Sequence, residues 1–246
     1  MKKLLLIFII VAFMGFLFAG CFSTPPIEPE PADLVVLVEL YMAIGCHNCE
    51  LVEPILEQLV VEYGYDQMVL VEEAVNWSEY TTPEISERYD WYIPPGSTDR
   101  YIPNILFNGL NENWIHGYAN YQTIKSKIDA ELAKGSEIVI TTSRDSDTNT
   151  TTIAGTIENV SSSTLTNLEI NGMVFKERQN INLKYSVFDI FEEQKVLVES
   201  LTPEDIFEFS FTLEGFDWEA DNVNGVVFVQ APDSPTKEIL QAAFIE

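Results

Sequence analysis

The hydrophobic pattern of this chain changes its period once, near Gly135, and that change constrains the fold more than any single residue does. Before it, strand and helix signals alternate. Leu34 to Tyr41 is an apolar run broken only by Glu39, which predicts a central strand buried on both faces. From Cys49 to Val60 the residues Leu51, Val52, Ile55, Leu56 and Leu59 recur at helical spacing, with Pro54 inside as an expected kink and Gly64 as a stop. Gln67–Ala74 reads as a second strand, Pro83–Tyr89 as a short helix and Ile105–Phe107 as a strand. Asn108-Gly109 follows as a tight-turn signal, with Trp114–Tyr118 as the returning strand. Tyr121–Lys134 is a helix with Ile124, Ile128 and Leu132 on one face. After Gly135 no helical pattern remains. Eight short alternating segments begin with Glu137–Thr142, Thr151–Asn159, Leu165–Phe175 and Ile181–Phe188. Lys195–Leu201, Ile206–Thr212, Val226–Gln230 and Glu238–Phe244 complete them. The expectation is two units: an α/β layer fold over residues 34–135, a mixed sheet flanked by helices, and an all-β antiparallel sandwich over residues 136–246.

The first twenty residues read as an export signal and not as part of either unit. Lys2 and Lys3 precede the apolar run Leu4–Phe18, and small Ala19-Gly20 precede Cys21. Leu17-Phe18-Ala19-Gly20-Cys21 resembles the bacterial lipobox, which implies cleavage before Cys21 and lipid attachment to it. The other reading is a secretory signal or uncleaved anchor with an incidental cysteine. Residues 21–33 hold Pro25, Pro26, Pro29 and Pro31, and read as an extended tether. The lipobox reading places the protein in a bacterial cell envelope, held to a membrane by acyl chains and facing the periplasm or the exterior. Thirteen basic residues against thirty-nine acidic ones give a net charge of −26, which argues against nucleic acid as a partner.

Cys46-His47-Asn48-Cys49 stands where the first strand gives way to the first helix. Two thiols one helical turn apart allow a redox pair, a structural bridge or half of a metal site. No second C-x-x-C exists to complete a zinc site, and His47 between the cysteines is poorly placed to join them, so no metal is expected. With lipid on Cys21, Cys46 and Cys49 are the chain's remaining thiols, and an exported compartment permits a disulfide. A helix N-terminus stabilises a thiolate, the nucleophile of disulfide exchange.

The surrounding residues carry a family resemblance. Cys49-Glu50-Leu51-Val52-Glu53-Pro54-Ile55-Leu56 resembles the helix that follows the second cysteine in thioredoxins. Ile102-Pro103-Asn104-Ile105-Leu106-Phe107-Asn108-Gly109 resembles that family's proline loop, strand and turn, and Gly117 with the last helix continues the order. The resemblance spans about residues 34 to 135. It implies a thioredoxin-like fold and a thiol-disulfide oxidoreductase without organic cofactor, acting on exported proteins with thiols or disulfides. Cys46 would attack and Cys49 resolve. Pro103 would be cis and would present the Ile102 backbone to an extended substrate segment. His47 and Glu39 are the possible tuning residues. Two features depart from the family: Leu40 stands where it has a buried acid, and Gly45 where it has a tryptophan. Glu39, one residue earlier, faces the other side of the strand.

The segment from Tyr92 to Arg100 is longer than the family's link into the proline loop. With Trp91 and Tyr101 it is expected to shape a partner-binding rim. Ile153–Ser161 resembles the opening of small β-sandwich domains of bacterial envelopes, an immunoglobulin-like class that serves as binding or spacing modules. The competing reading is therefore a non-catalytic envelope lipoprotein that uses both units as scaffolds. No oligomeric state is implied.

Overall fold

A computed structural model describes residues 30–76, 79–179 and 182–245. The export signal, Cys21 and most of the Pro-rich segment lie outside the described residues. The order of elements is β1 Val36–Met42, α1 His47–Tyr63, β2 Met68–Ala74, α2 Pro83–Tyr92, β3 Asn104–Phe107, β4 Ile115–His116 and α3 Tyr121–Leu132. Strands then follow without interruption: β5 Ile138–Ser146, β6 Thr150–Asn159, β7 Leu165–Glu177, β8 Tyr185–Ile190, β9 Val196–Leu201, β10 Ile206–Glu214, β11 Val223–Gln230 and β12 Ile239–Ile245.

The chain order of strands and helices agrees with the sequence pattern, but the division into two architectures does not. The expected fold class, an α/β thioredoxin-like unit followed by a separate antiparallel sandwich, is corrected. One nine-stranded sheet runs through both halves in the order β12-β11-β7-β8-β2-β1-β3-β4, with β9 on β7. The join is the parallel contact of β2 with β8, where Glu72 is in register with Ser186. The physical reason is the free edge of β2. That strand is buried along its whole length and hydrogen-bonds β1 on one side, so its other side needs a partner, and the second half supplies one. The result is a mostly-β molecule with three helices among the described residues.

The cores follow from that join. The core cluster containing α1 and α3 takes Val38, Leu40, Met42, Leu56, Leu70 and Ile128 from the first half, and Phe175, Val187, Val226 and Phe228 from the second. The second core fills the space between the large sheet and the three-stranded sheet β10-β6-β5, with Ile153, Ile157, Phe209 and Phe211 facing Ile170, Val174, Val227 and Val229. A third, smaller cluster lies with α2 around Tyr41, Tyr89, Tyr92 and Leu106. The sandwich thus exists, but one of its walls is the sheet that also carries β1 and β2.

Three local details trace to particular residues. Pro54 sits inside α1, which is continuous from His47 to Tyr63. Pro54 is the eighth residue of that helix, and the missing N–H does not end it. Asn108 and Gly109 both have positive φ, 53° and 91°, as their turn signal requires. The hairpin they open is wider than a two-residue turn, since Asn104 pairs with His116 and Ile105 with Ile115. The reason lies in the other half: a Cβ on Gly109 would stand 2.3 Å from the Lys237 carbonyl, and Ile239 N–H donates to the Asn108 carbonyl. Helix α2 opens as its sequence dictates, with Pro83 at its first turn and Thr82 Oγ1 accepting the Ile85 N–H.

Candidate functional site

β1 ends at Met42, and the chain turns through Ala43, Ile44 and Gly45 before α1 begins. Gly45 takes φ 78° with open space around it, and Cys46 N–H closes the turn onto the Ala43 carbonyl. Cys46 is the N-cap of α1, and its Sγ accepts the Cys49 N–H at 3.2 Å. Cys46 and Cys49 are joined in a disulfide with their Cα atoms 5.2 Å apart. The two sulfurs are unequal in access. Cys49 is fully buried, Cys46 is half-buried, and His47 and Asn48 are exposed beside it. An incoming thiolate therefore meets Cys46 first, and a thiolate left on Cys46 would sit at the positive end of a seventeen-residue helix.

Pro103 comes to the same end of the sheet. Tyr41 is in register with Asn104, so Pro103 follows beyond the last β1–β3 pair, beside the turn that leads to Cys46. The Ile102–Pro103 bond is cis, Ile102 is half-buried, and the Pro103 carbonyl accepts the Gly117 N–H. Four large apolar residues of these segments are exposed: Ile44 and Leu51 beside the cysteines, Tyr101 and Tyr118 beside Pro103. The Tyr101 ring lies 3.6 Å from the ring of His116. The inserted segment is pinned to α2, because Arg100 pairs with Asp90 and donates to the Ile93 carbonyl. Trp91 is not brought to this rim. Its ring lies under the Lys237 ammonium, and with Arg88, Glu169 and Lys195 it lines a separate cavity of about 230 Å³.

Glu39 is committed elsewhere. It is fully buried, and Oε1 accepts from Arg88 Nε at 2.6 Å and from the Tyr41 hydroxyl at 3.2 Å. Oε2 accepts from the Tyr92 hydroxyl at 3.0 Å, and Arg88 also reaches Gln230 of β11. Glu39 therefore belongs to an ion-paired network on the α2 face, whereas Cys49 belongs to the core cluster that contains α1.

Sequence reading missed further buried acids, three of which have raised pKa values. Glu73 lies beside Glu39. Burial, then the charge of Glu39, pushes its carboxyl well above the usual range, and neither of its oxygens finds a donor. On the opposite face, burial lifts Glu53 to about 7 and Glu72 to about 8. The signal was present: Met68-Val69-Leu70-Val71-Glu72-Glu73-Ala74 places two adjacent carboxylates in an apolar strand, one for each face of the sheet. Among the described residues no group of three or more His, Cys, Asp or Glu side chains is arranged to hold a metal ion. Among the same residues no helix is long and apolar enough to cross a membrane.

Comparison with known proteins places the fold. No family model matches the chain, and no curated protein sequence matches it. Among solved structures, HBP35 of Porphyromonas gingivalis aligns over 87% of this chain and 75% of its own, at 16% identity and a TM-score of 0.63. That similarity shows a shared fold across both halves. A domain of the outer membrane lipoprotein Omp28 from the same organism covers 45% of this chain and 88% of its own, at 15% identity and a TM-score of 0.33. β-Glucosidase 3B of Thermotoga neapolitana covers 44% of this chain and 15% of its own, at 11% identity and a TM-score of 0.28. These last two scores carry no argument about fold. The expected membership of the thioredoxin family is corrected accordingly. No thioredoxin model matches, and the similarity in hand is to HBP35, in a mostly-β chain whose sheet does not stop at residue 135.

Proposed function

We propose that the Cys46–Cys49 disulfide is redox-active and exchanges with thiols or disulfides of exported proteins. In this reading the chain is held at a bacterial envelope membrane by lipid on Cys21. The supporting observation is the asymmetry of the pair, a half-exposed sulfur at a helix N-cap backed by a buried one. In the reductive direction the Cys46 thiolate attacks a substrate disulfide. One substrate sulfur leaves as a thiolate, and the other becomes bonded to Cys46. The Cys49 thiolate then attacks Cys46, the Cys46–Cys49 bond re-forms, and the second substrate sulfur leaves as a thiolate. The opposite direction runs the same steps in reverse. His47, exposed between the cysteines, adds positive charge near Cys46 when protonated. Ile102 and Pro103, with exposed Ile44, Leu51, Tyr101 and Tyr118, offer an apolar rim for an unfolded or extended segment of substrate.

The deciding experiment is a redox titration of the folded chain with Cys46→Ser as control. Equilibration with a thiol buffer between about −270 and −120 mV supports exchange. A pair that stays oxidised far below that range is a structural bridge, and the scaffold reading then stands. A Cys49→Ser variant is expected to accumulate mixed disulfides on Cys46 that identify the substrate.

A further inference from the structure

The buried face of α1 carries a carboxylic acid that disulfide exchange does not use. Glu53 lies one turn beyond Cys49 and is 2% exposed. Its Oε1 accepts the Leu183 N–H at 2.6 Å. Glu72 of β2 is fully buried, and its Oε2 accepts the Tyr185 N–H at 2.8 Å. Two carboxylates from two elements of the first half thus grip two backbone amides of the second, at Leu183 and Tyr185. The grip is incomplete in a specific way: Glu53 Oε2 and Glu72 Oε1 are buried without a donor, as is the hydroxyl of Ser186, the residue in register with Glu72. Leu183 is held at φ 94°, a conformation that a bulky side chain adopts only when its surroundings enforce it.

We propose that Glu53 and Glu72 form a proton-operated latch: with at least one of them neutral the Leu183–Tyr185 segment is clamped to α1 and β2, and with both ionised the segment lifts so that the carboxylates reach water. Two ionised carboxylates sharing one apolar site lose hydration and repel each other, and Lys184 with the Leu183 and Tyr185 N–H groups offsets only part of that cost, since burial is the larger cause at both. The groups facing the pair are mostly of the same sign. Helix α1 adds Glu50 and Glu57. The clamped segment adds Lys184 and Tyr185. Lys184 stands 3.9 Å from Glu57 and 3.5 Å from Glu177 of β7, so its charge is shared outside the pair. Tyr65, between α1 and β2, also faces Tyr185, and burial holds its hydroxyl neutral. Burial is the main cause of the upward shifts to about 7 and about 8, which set the latch to operate around neutrality. The latch does not depend on the exchange reading, since it involves neither sulfur.

Amide hydrogen exchange on the full chain between about pH 6 and 9, corrected for the intrinsic rate, tests this. Protection at Leu183 and Tyr185 is expected to be flat at the acid end and to fall about tenfold per pH unit above neutrality, while β7 amides stay protected. The Glu53→Gln/Glu72→Gln variant keeps an acceptor oxygen at each site and carries no charge, so its protection should be independent of pH. A wild-type profile flat across the range overturns the latch, as does a loss shared equally by every strand. If the double variant does not fold, carboxyl carbon shifts of the wild type decide: two glutamates titrating near neutrality are required, and both titrating below about pH 5 refutes the proposal.

Discussion

At the scale of single residues the molecule is organised around acids that burial has changed. Arg88 holds Glu39 as a charge inside the α2 face, with Tyr92 and Gln230 completing the network. Arg88→Met is expected to destabilise the chain by about 3–5 kcal/mol, because it leaves an uncompensated buried charge; a urea titration reads it. Glu73 is a different case, since burial, and then the nearby Glu39, favour its neutral form. Glu73→Gln keeps the shape and removes the charge. It should change stability little at about pH 5 and raise it at about pH 8, and equal effects at both pH values would contradict that account.

Among the elements, the sequence made some features legible and hid others for a definite reason. The helix that Cys46 caps, the strand before it and the alternating strands after Gly135 follow from local periodicity and capping, which are short-range properties. The pairing of β2 with β8 is not short-range. Nothing in the pattern of Met68–Ala74 states which strand covers its free edge, so a chain with two periodic regimes reads as two units. The cysteine pair was legible as two thiols close enough for a disulfide. The fate of Glu39 was not, because its partner Arg88 lies forty-nine residues away on a segment that reads only as a short helix. Strand packing also rests on residues with no pattern of their own. A Cβ on Gly155 of β6 would stand 2.1 Å from the Thr141 carbonyl and 2.7 Å from the Phe209 ring. Gly155→Ala should therefore cost about 1–3 kcal/mol by overpacking the β5–β6–β10 sheet, measured by thermal or urea unfolding. A neutral result would mean that these strands separate easily.

Over the whole molecule, raised carboxyl pKa values set the dependence of stability on pH. Glu53, Glu72 and Asp189, the last lifted to about 6 by burial and then by Glu84, keep protons in the fold that the unfolded chain has already lost. The folded state binds more protons between the ordinary carboxyl range and about pH 8. Stability from these groups is complete below the ordinary carboxyl range and is lost as pH rises through their folded values. The melting temperature should be lower at about pH 8.5 than at about pH 5, including in about 0.5 M salt, where repulsion from the surface charge is screened. A melting temperature that rises over that interval would contradict the assignment. The shared sheet makes a second expectation at this scale. A fragment of residues 30–135 uncovers the free edge of β2 and the side of the α1 core that Phe175, Val187 and Phe228 fill. It should lack a cooperative unfolding transition, which calorimetry of the fragment beside the full chain would show.

The last strands also fasten the first described residues. Gln241 of β12 donates to the carbonyls of Asp33 and Ile138 and accepts the Val35 N–H, and Ala32 bridges to Ser136 in both directions. Synthesis delivers these partners at opposite ends of time. When β1 and β2 leave the ribosome, the strand that will cover the edge of β2 is more than a hundred residues from being made, and the glutamine that clasps the start of β1 lies 206 residues after Val35. The outer edge of β2 must wait, uncovered and prone to pair with other chains, until β8 has been made. A fold closed by contacts this distant in sequence cannot complete its first half before its second half has followed it.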